Sequence, residues 1–202
     1  MQALYDTAVT TEEIIIAVVR VIGSLPVLVF PFPGAIIAML TDMSDLFLMN
    51  LLDAGGVSDY QEFDKWLDQV YMVTFLIVAL RWRGAPRNIA VGLFAYRLAG
   101  FVTFEVSQQR DLLIFFPNLF EFWFVFVAGA KFLRLDERWR GEPHLRGLVP
   151  FRYTRGQLAA VLPVLLAIKL LQEYALHVGQ WFEDFTSVEA AEWIWRLLTP
   201  PY

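Results

Sequence analysis

Three observations predict that this chain is an all-α, polytopic membrane protein. Of its 202 residues, 57% are apolar and only 18% are charged, whereas a soluble domain carries about 25% charged residues. The apolar residues form six runs long enough to cross, as helices, the roughly 30 Å hydrocarbon core of a bilayer. Acidic and basic segments separate these runs in a regular pattern, as expected for a chain that crosses a membrane repeatedly.

The six runs predict six transmembrane helices, at residues 14–30, 34–52, 67–82, 89–104, 112–133 and 158–178. They are too long and too continuous for barrel strands, which alternate in hydrophobicity over about ten residues. Pro26, Pro31 and Pro33 are expected to break the chain between the first two helices. Arg20 and Gly23 weaken the first run, so an interfacial first helix, leaving five spans, is the alternative.

The charges predict one transmembrane helical-bundle domain, 1–202, with a defined orientation. Segments 81–87 and 131–155 are basic, whereas the N-terminus, segment 53–68 and the C-terminal tail are acidic. Basic loops lie in the cytoplasm, so the loop 134–156 is expected there, with both termini outside a plasma or inner membrane. Trp193 and Trp195 indicate that the tail 183–202 is an amphipathic helix lying in the interface.

Several classes of site are excluded by composition. The chain has no cysteine and two histidines, which excludes disulfides, iron–sulfur ligation and thiolate or multi-histidine metal sites. A net charge of −5 argues against nucleic-acid binding. No motif for a nucleotide is present, and we expect no haem.

Two pairs of aspartates form the first candidate site. Asp42 and Asp45 are three residues apart on the second predicted helix, and Asp64 and Asp68 are four apart at the start of the third. A short loop joins these helices, so the four carboxylates are expected to converge. Oxygen ligands of this kind suit Mg²⁺, Mn²⁺ or Ca²⁺. The alternative for Asp64 and Asp68 is a solvated helix start, where acidic side chains are also favoured.

Ionisable residues deep in the later runs form the second candidate site. Each costs roughly 2.5–3.5 kcal/mol at mid-depth on insertion scales, so each should be paired, hydrated or functional. Arg97 is expected to be a counter-charge for an acid on a neighbouring helix. Asn118 and Glu121 share a helix face just after Pro117. Lys169 and Glu173, four residues apart, form either a self-neutralised pair or part of a proton path.

The spacing Asp42-x-x-Asp45 followed by Asp64-x-x-x-Asp68 partly resembles that of the CDP-alcohol phosphotransferases. That resemblance implies a six-helix membrane enzyme whose aspartates hold a divalent metal pair and supply a base. It covers about 27 residues, 42–68, and Leu46 stands where that family has a glycine. We therefore assign the chain to no family.

The sequence leaves three functions open. The leading prediction is an integral membrane protein that binds and transports a cation or proton, with the carboxylates as ion ligands or proton carriers. The alternative is a metal-dependent membrane enzyme acting on a lipid headgroup or a polyprenyl carrier. A third is a structural subunit or scaffold of a membrane complex. The expected partners are the lipid bilayer and a small cation or proton, and a chain this small favours a homo-oligomer.

Overall fold

The computed structural model describes residues 11–43, 60–107, 115–135 and 151–174. Within these ranges the chain forms six α-helices and no β-strand, which confirms the all-α prediction for this part of the chain. A short 3₁₀ helix, Leu25–Leu28, follows the first α-helix. The six are α1 (Thr11–Ser24), α2 (Pro31–Met43), α3 (Tyr60–Leu80), α4 (Ala85–Ser107), α5 (Leu119–Phe132) and α6 (Arg155–Glu173).

The hairpin between α1 and α2 differs from the predicted break. Pro31 and Pro33 lie in the first turn of α2, where a helix needs no backbone N–H donor and proline is therefore tolerated. Gly34 packs directly on the backbone of Pro26 and Val27, and a Cβ atom there would overlap them. The prolines therefore begin a helix, and the 3₁₀ turn carries the change of direction.

The fifth predicted span, 112–133, is wrong at its start. Residues 115–118 are not α-helical, and α5 begins only at Leu119. Pro117 explains the delay, because proline donates no hydrogen bond and disfavours a helical conformation in the residue before it. With 14 residues, α5 is about 21 Å long, which is shorter than a bilayer's hydrocarbon core of about 30 Å.

Helices α3 and α5 form the centre of the bundle. Helix α3 packs against α1, α2, α4 and α5, and α5 packs against α2, α3, α4 and α6. Aromatic rings fill the space between them: Phe75 stacks on Phe124 with ring centres 4.3 Å apart, and Trp82 stacks on the same ring at 5.1 Å. The Trp123 indole N–H donates to the Pro86 carbonyl oxygen at 3.0 Å and ties α5 to the start of α4.

The described helices expose many large apolar side chains, and their mostly apolar interior also contains charged ones. Large apolar side chains are exposed on every helix, including Leu40 at 61%, Val102 at 51% and Leu171 at 59%. In contrast, Arg20 and Lys169 are each 7% exposed. Charged side chains are almost never buried in this way unless they are paired, and large exposed apolar surfaces mark contacts with a membrane or another molecule.

Two of the helices are long and apolar enough to cross a membrane: α4, with 23 residues, and α6, with 19. The segments Ile14–Leu28 and Trp66–Leu80 are shorter apolar helices. The predicted interfacial tail, 183–202, lies outside the described residues. Of the predicted basic loop 134–156, the structure describes 134–135 and 151–156.

Candidate functional site

One guanidinium group joins three helices at the first candidate site. Arg20, on α1, places Nη2 3.1 Å from Asp42 Oδ1 on α2 and Nη1 3.4 Å from Asp68 Oδ1 on α3. Both aspartate side chains are partly exposed, at 28% and 19%, whereas that of Arg20 is 6% exposed. Two of the four predicted metal-ligating carboxylates are therefore brought together around a cation supplied by the chain itself.

The other two predicted ligands lie outside the description. Asp45 is not among the described residues, and of Asp64 only the helical backbone is described. Within the described part of the chain there is no group of three or more acidic, histidine or cysteine side chains placed to hold a metal ion. The divalent cation at Asp42, Asp45, Asp64 and Asp68 stays a prediction.

The second candidate site lies where α5 begins, halfway along α4. The carbonyl oxygens of Phe115 and Phe116 precede Pro117 and are left without helical partners. The Tyr96 hydroxyl donates to the Phe115 oxygen, and Arg97 Nη1 donates to the Phe116 oxygen at 2.9 Å. Tyr96 and Arg97 occupy the middle of the 23 residues of α4, so α5 starts at mid-depth in the bundle.

Asn118 and Glu121 lie in this start of α5 and are both buried, at 4% and 5% exposure. Asn118 Nδ2 donates to the Tyr71 hydroxyl oxygen at 3.1 Å and to Glu121 Oε2 at 3.2 Å. The shared helix face predicted for Asn118 and Glu121 is thus used for a direct hydrogen bond. The Asn118 amide also links the carboxyl group to α3 through Tyr71.

Lys169 belongs to the second candidate site but lies on α6 rather than at the start of α5. Its Nζ lies 2.8 Å from Glu173 Oε1 and donates to Gln172 Oε1 at 3.0 Å. The same ammonium group lies 5.7 Å from the centre of the Phe122 ring on α5, a distance at which a cation is attracted to an aromatic face. The predicted Lys169–Glu173 pairing is present.

Electrostatic interactions connect the Arg20 group, the start of α5 and the Lys169–Glu173 pair. Glu121 interacts with four charged groups on three other helices, namely Lys169, Glu173, Asp42 and Arg97. Tyr71, beside Asn118, also interacts with Asp42 and Asp68. We call the connected set the interior charge cluster; its members are Arg20, Asp42, Asp68, Arg97, Glu121, Lys169 and Glu173.

The interior charge cluster holds three cationic side chains and four carboxyl groups. Two of the carboxyl groups contact Arg20 and a third contacts Lys169. Glu121 is the fourth, and it accepts its hydrogen bond from a neutral amide. Among these seven described side chains, the formal charge is −1 with Glu121 ionised and zero with Glu121 protonated.

Two side chains of the candidate site, those of Arg20 and Tyr71, were not identified as site residues from the sequence. Arg20 weakened the first apolar run, and its position gave no sign that it would contact two helices at once. Tyr71 lies seven residues after Asp64 in the same stripe of α3, which was the available signal. Arg97, expected to pair with an acid, has its hydrogen bond to a backbone carbonyl while it interacts with Glu121 over a longer range.

No family model matches this chain, and no curated protein or solved structure is detectably similar to it.

Proposed function

We propose that this chain is a multi-pass membrane protein that carries protons across the bilayer by way of Glu121. In this proposal α1 with its 3₁₀ extension, α3, α4 and α6 contact lipid, and the interior charge cluster lies within the hydrocarbon layer. Protons bind and leave Glu121 one at a time, and Lys169 balances the charge that each transfer changes.

The exposed apolar side chains and the buried charged ones together support the membrane part of the proposal. A bundle with a large exposed apolar side chain on each described helix, and with buried arginine and lysine, suits a solvent that is itself apolar. In water the exposed apolar surface would drive association. In lipid it is the favourable arrangement, and charged residues then face the bundle interior and pair with one another.

The surplus carboxyl group carries the transport part of the proposal. A buried ionised group in an apolar medium is costly unless it is compensated, and the other three carboxyl groups of the interior charge cluster each contact a cationic side chain. Glu121 differs from them because its hydrogen-bond donor is the neutral Asn118 amide. A carboxyl group so placed is suited to exchange a proton as the charges around it shift.

Proton flux into liposomes tests the proposal. Purified protein is reconstituted, a potassium diffusion potential is imposed with valinomycin, and internal acidification is followed with a trapped pH-sensitive dye. We expect Glu121→Gln, which keeps the shape of the side chain but cannot exchange a proton, to lower the flux to that of empty liposomes. Glu137→Gln, the same change in the predicted basic loop, is the matched control and should leave the flux unchanged.

Two results would contradict proton transfer at Glu121. One is flux in Glu121→Gln equal to that of the unmodified chain. The other is transport of Mg²⁺, Mn²⁺ or Ca²⁺ itself, if this transport is lost in Asp42→Asn but not in Glu121→Gln. That second result would support the predicted cation site at Asp42, Asp45, Asp64 and Asp68 instead.

A scaffold is the second candidate, and the ion pairs favour it. Arg20 contacts Asp42 and Asp68, and Lys169 contacts Glu173, so much of the interior charge is satisfied by the chain itself. Such pairs can act solely to specify which helices pack together. If this is their role, no variant changes a flux, and Asp42→Asn alters only assembly or stability. The metal-dependent enzyme remains a sequence prediction, to be tested by metal-dependent turnover on lipid substrates.

A further inference from the structure

The approach to α5 is held against α4 by three residues within two turns. The Tyr96 hydroxyl and Arg97 Nη1 donate to the carbonyl oxygens of Phe115 and Phe116. Gly100 lies against the Phe116 side chain so closely that a Cβ atom at position 100 would overlap it. The ring of Phe116 also packs on that of Tyr96, with centres 4.9 Å apart.

This attachment determines where α5 begins. Irregular backbone at membrane depth is tolerated where other protein groups satisfy its carbonyls, and Arg97 does this for Phe116, one residue before Pro117. Glu121 is in the first turn of α5. A helix turns by about 100° per residue, so a start displaced by a single residue would turn Asn118 and Glu121 together away from Tyr71 on α3.

We propose that Arg97, assisted by Tyr96, is a positioning residue for proton transfer at Glu121, an inference that rests on the proposed function. Arg97 acts through the Phe116 carbonyl, which fixes the start of α5 and so the place of Glu121. The competing explanation is that Arg97 acts by its charge, since it interacts electrostatically with Glu121. The two explanations differ in whether something other than a cation can replace Arg97.

A disulfide can supply the attachment without the charge. The chain has no cysteine, so Gly100→Cys and Phe116→Cys introduce one isolated pair. A Cβ atom at position 100 would lie against Cβ of residue 116, and a small outward shift brings the two to the separation of about 3.8 Å found in disulfides. Oxidation attaches the approach segment to α4, and a reductant releases it.

Two readouts are measured in each variant. The first is proton flux in liposomes. The second is labelling of Glu121 by an apolar carbodiimide, detected by mass spectrometry, which reports the placement of this carboxyl group without requiring transport. We expect Arg97→Met to lower the flux about tenfold or more, the effect of losing one hydrogen bond from a charged donor, and to change the labelling rate. The oxidised cysteine pair should restore both in Arg97→Met, and its reduced form should not.

Several results would overturn the proposal. One is that Arg97→Met matches the unmodified chain in both proton flux and labelling rate. Another is that Arg97→Lys keeps both readouts near those of the unmodified chain while the oxidised pair does not restore them in Arg97→Met, which would indicate an effect of charge. Flux blocked by the oxidised pair in a chain that still carries Arg97 would mean that the segment must move. If Arg97→Met does not fold, Tyr96→Phe decides: we expect about fivefold lower flux from the lost hydrogen bond, and an unchanged flux and labelling rate overturns the proposal.

Failure of the proposed function gives a different pattern. In that case the unmodified chain shows no flux that depends on Glu121, while carbodiimide labelling still reports whether Arg97 positions the carboxyl group. Labelling that is altered in Arg97→Met and restored by the oxidised pair would then support positioning alone. Labelling that is the same in all variants would overturn the positioning role as well.

Discussion

Replacing Arg20 with methionine should destabilise the bundle more than any single aspartate substitution near it. Arg20 Nη2 and Nη1 contact Asp42 and Asp68 at 3.1 and 3.4 Å, and the arginine side chain is 6% exposed. Methionine has a similar apolar stem but no charge, so Arg20→Met removes the cation that Asp42 and Asp68 share. Asp42→Asn, in contrast, leaves Arg20 with Asp68.

The magnitude follows from burial. Removing one member of a buried ion pair costs about 3–5 kcal/mol. The side chains of Asp42 and Asp68 are 28% and 19% exposed, so water can partly hydrate them. We therefore take the lower limit, about 3 kcal/mol, for Arg20→Met. Because Asp68 still contacts Arg20 in Asp42→Asn, we expect about 1 kcal/mol there.

The assay is reversible unfolding in mixed micelles, followed by the fluorescence of the seven tryptophans. The decisive comparison is the triple variant Arg20→Met/Asp42→Asn/Asp68→Asn, which removes the cation and both charges together. Replacing a buried ion pair by uncharged groups is often close to neutral, so the triple variant should lie within about 1 kcal/mol of the unmodified chain. The reasoning is refuted if Arg20→Met costs less than about 0.5 kcal/mol, the range of ordinary surface substitutions, or if the triple variant is no more stable than Arg20→Met.

Two further substitutions test the close contacts around α5. Gly100→Ala should lower the free energy of unfolding by about 1–3 kcal/mol because the new Cβ overlaps Phe116. Its control is Gly92→Ala on the same helix, where nothing lies within 4 Å of the added Cβ. We expect Gly92→Ala to be neutral or to raise the free energy of unfolding by up to about 1 kcal/mol. Equal effects of these two in micelle unfolding would contradict the packing of α5 on α4. Asn118→Leu removes the amide that donates to Tyr71 at 3.1 Å and should cost about 1–3 kcal/mol, with no loss in unfolding free energy as the contradicting result.

The helices were largely predictable because hydropathy reports directly on them. Long apolar runs interrupted by Gly84 and by charged segments predicted α4 and α6 to within five residues at each end, whereas α3 begins at Tyr60, seven residues before the predicted start at 67. Hydropathy does not show at which residue of an apolar run the helix begins. The run through Phe115 and Phe116 was therefore predicted to be part of a span. Pro117 instead delays the start of the helix, and the carbonyl oxygens of Phe115 and Phe116 accept hydrogen bonds from α4.

Most members of the candidate site and its short-range pairings were predictable, whereas Arg20, Tyr71 and the long-range pairings were not. Asn118 with Glu121 and Lys169 with Glu173 are close in sequence, and helix geometry alone brings them together. The contacts of Arg20 with Asp42 and Asp68 span up to 48 residues, and no periodicity encodes which helices become neighbours. For the same reason the sequence could not distinguish a site for a metal ion from a site that contains the chain's own guanidinium group.

Side-specific labelling in sealed vesicles tests most directly whether the chain crosses the membrane as proton transport requires. Because the chain contains no cysteine, Asp59→Cys and Arg140→Cys each introduce a single thiol, in a predicted outer segment and in the predicted cytoplasmic loop. We expect an impermeant maleimide to reach the first thiol from outside the cell membrane and the second only after the cytoplasmic face is opened. Labelling of both thiols from the same side of intact vesicles would contradict the membrane topology and, with it, proton transfer through Glu121.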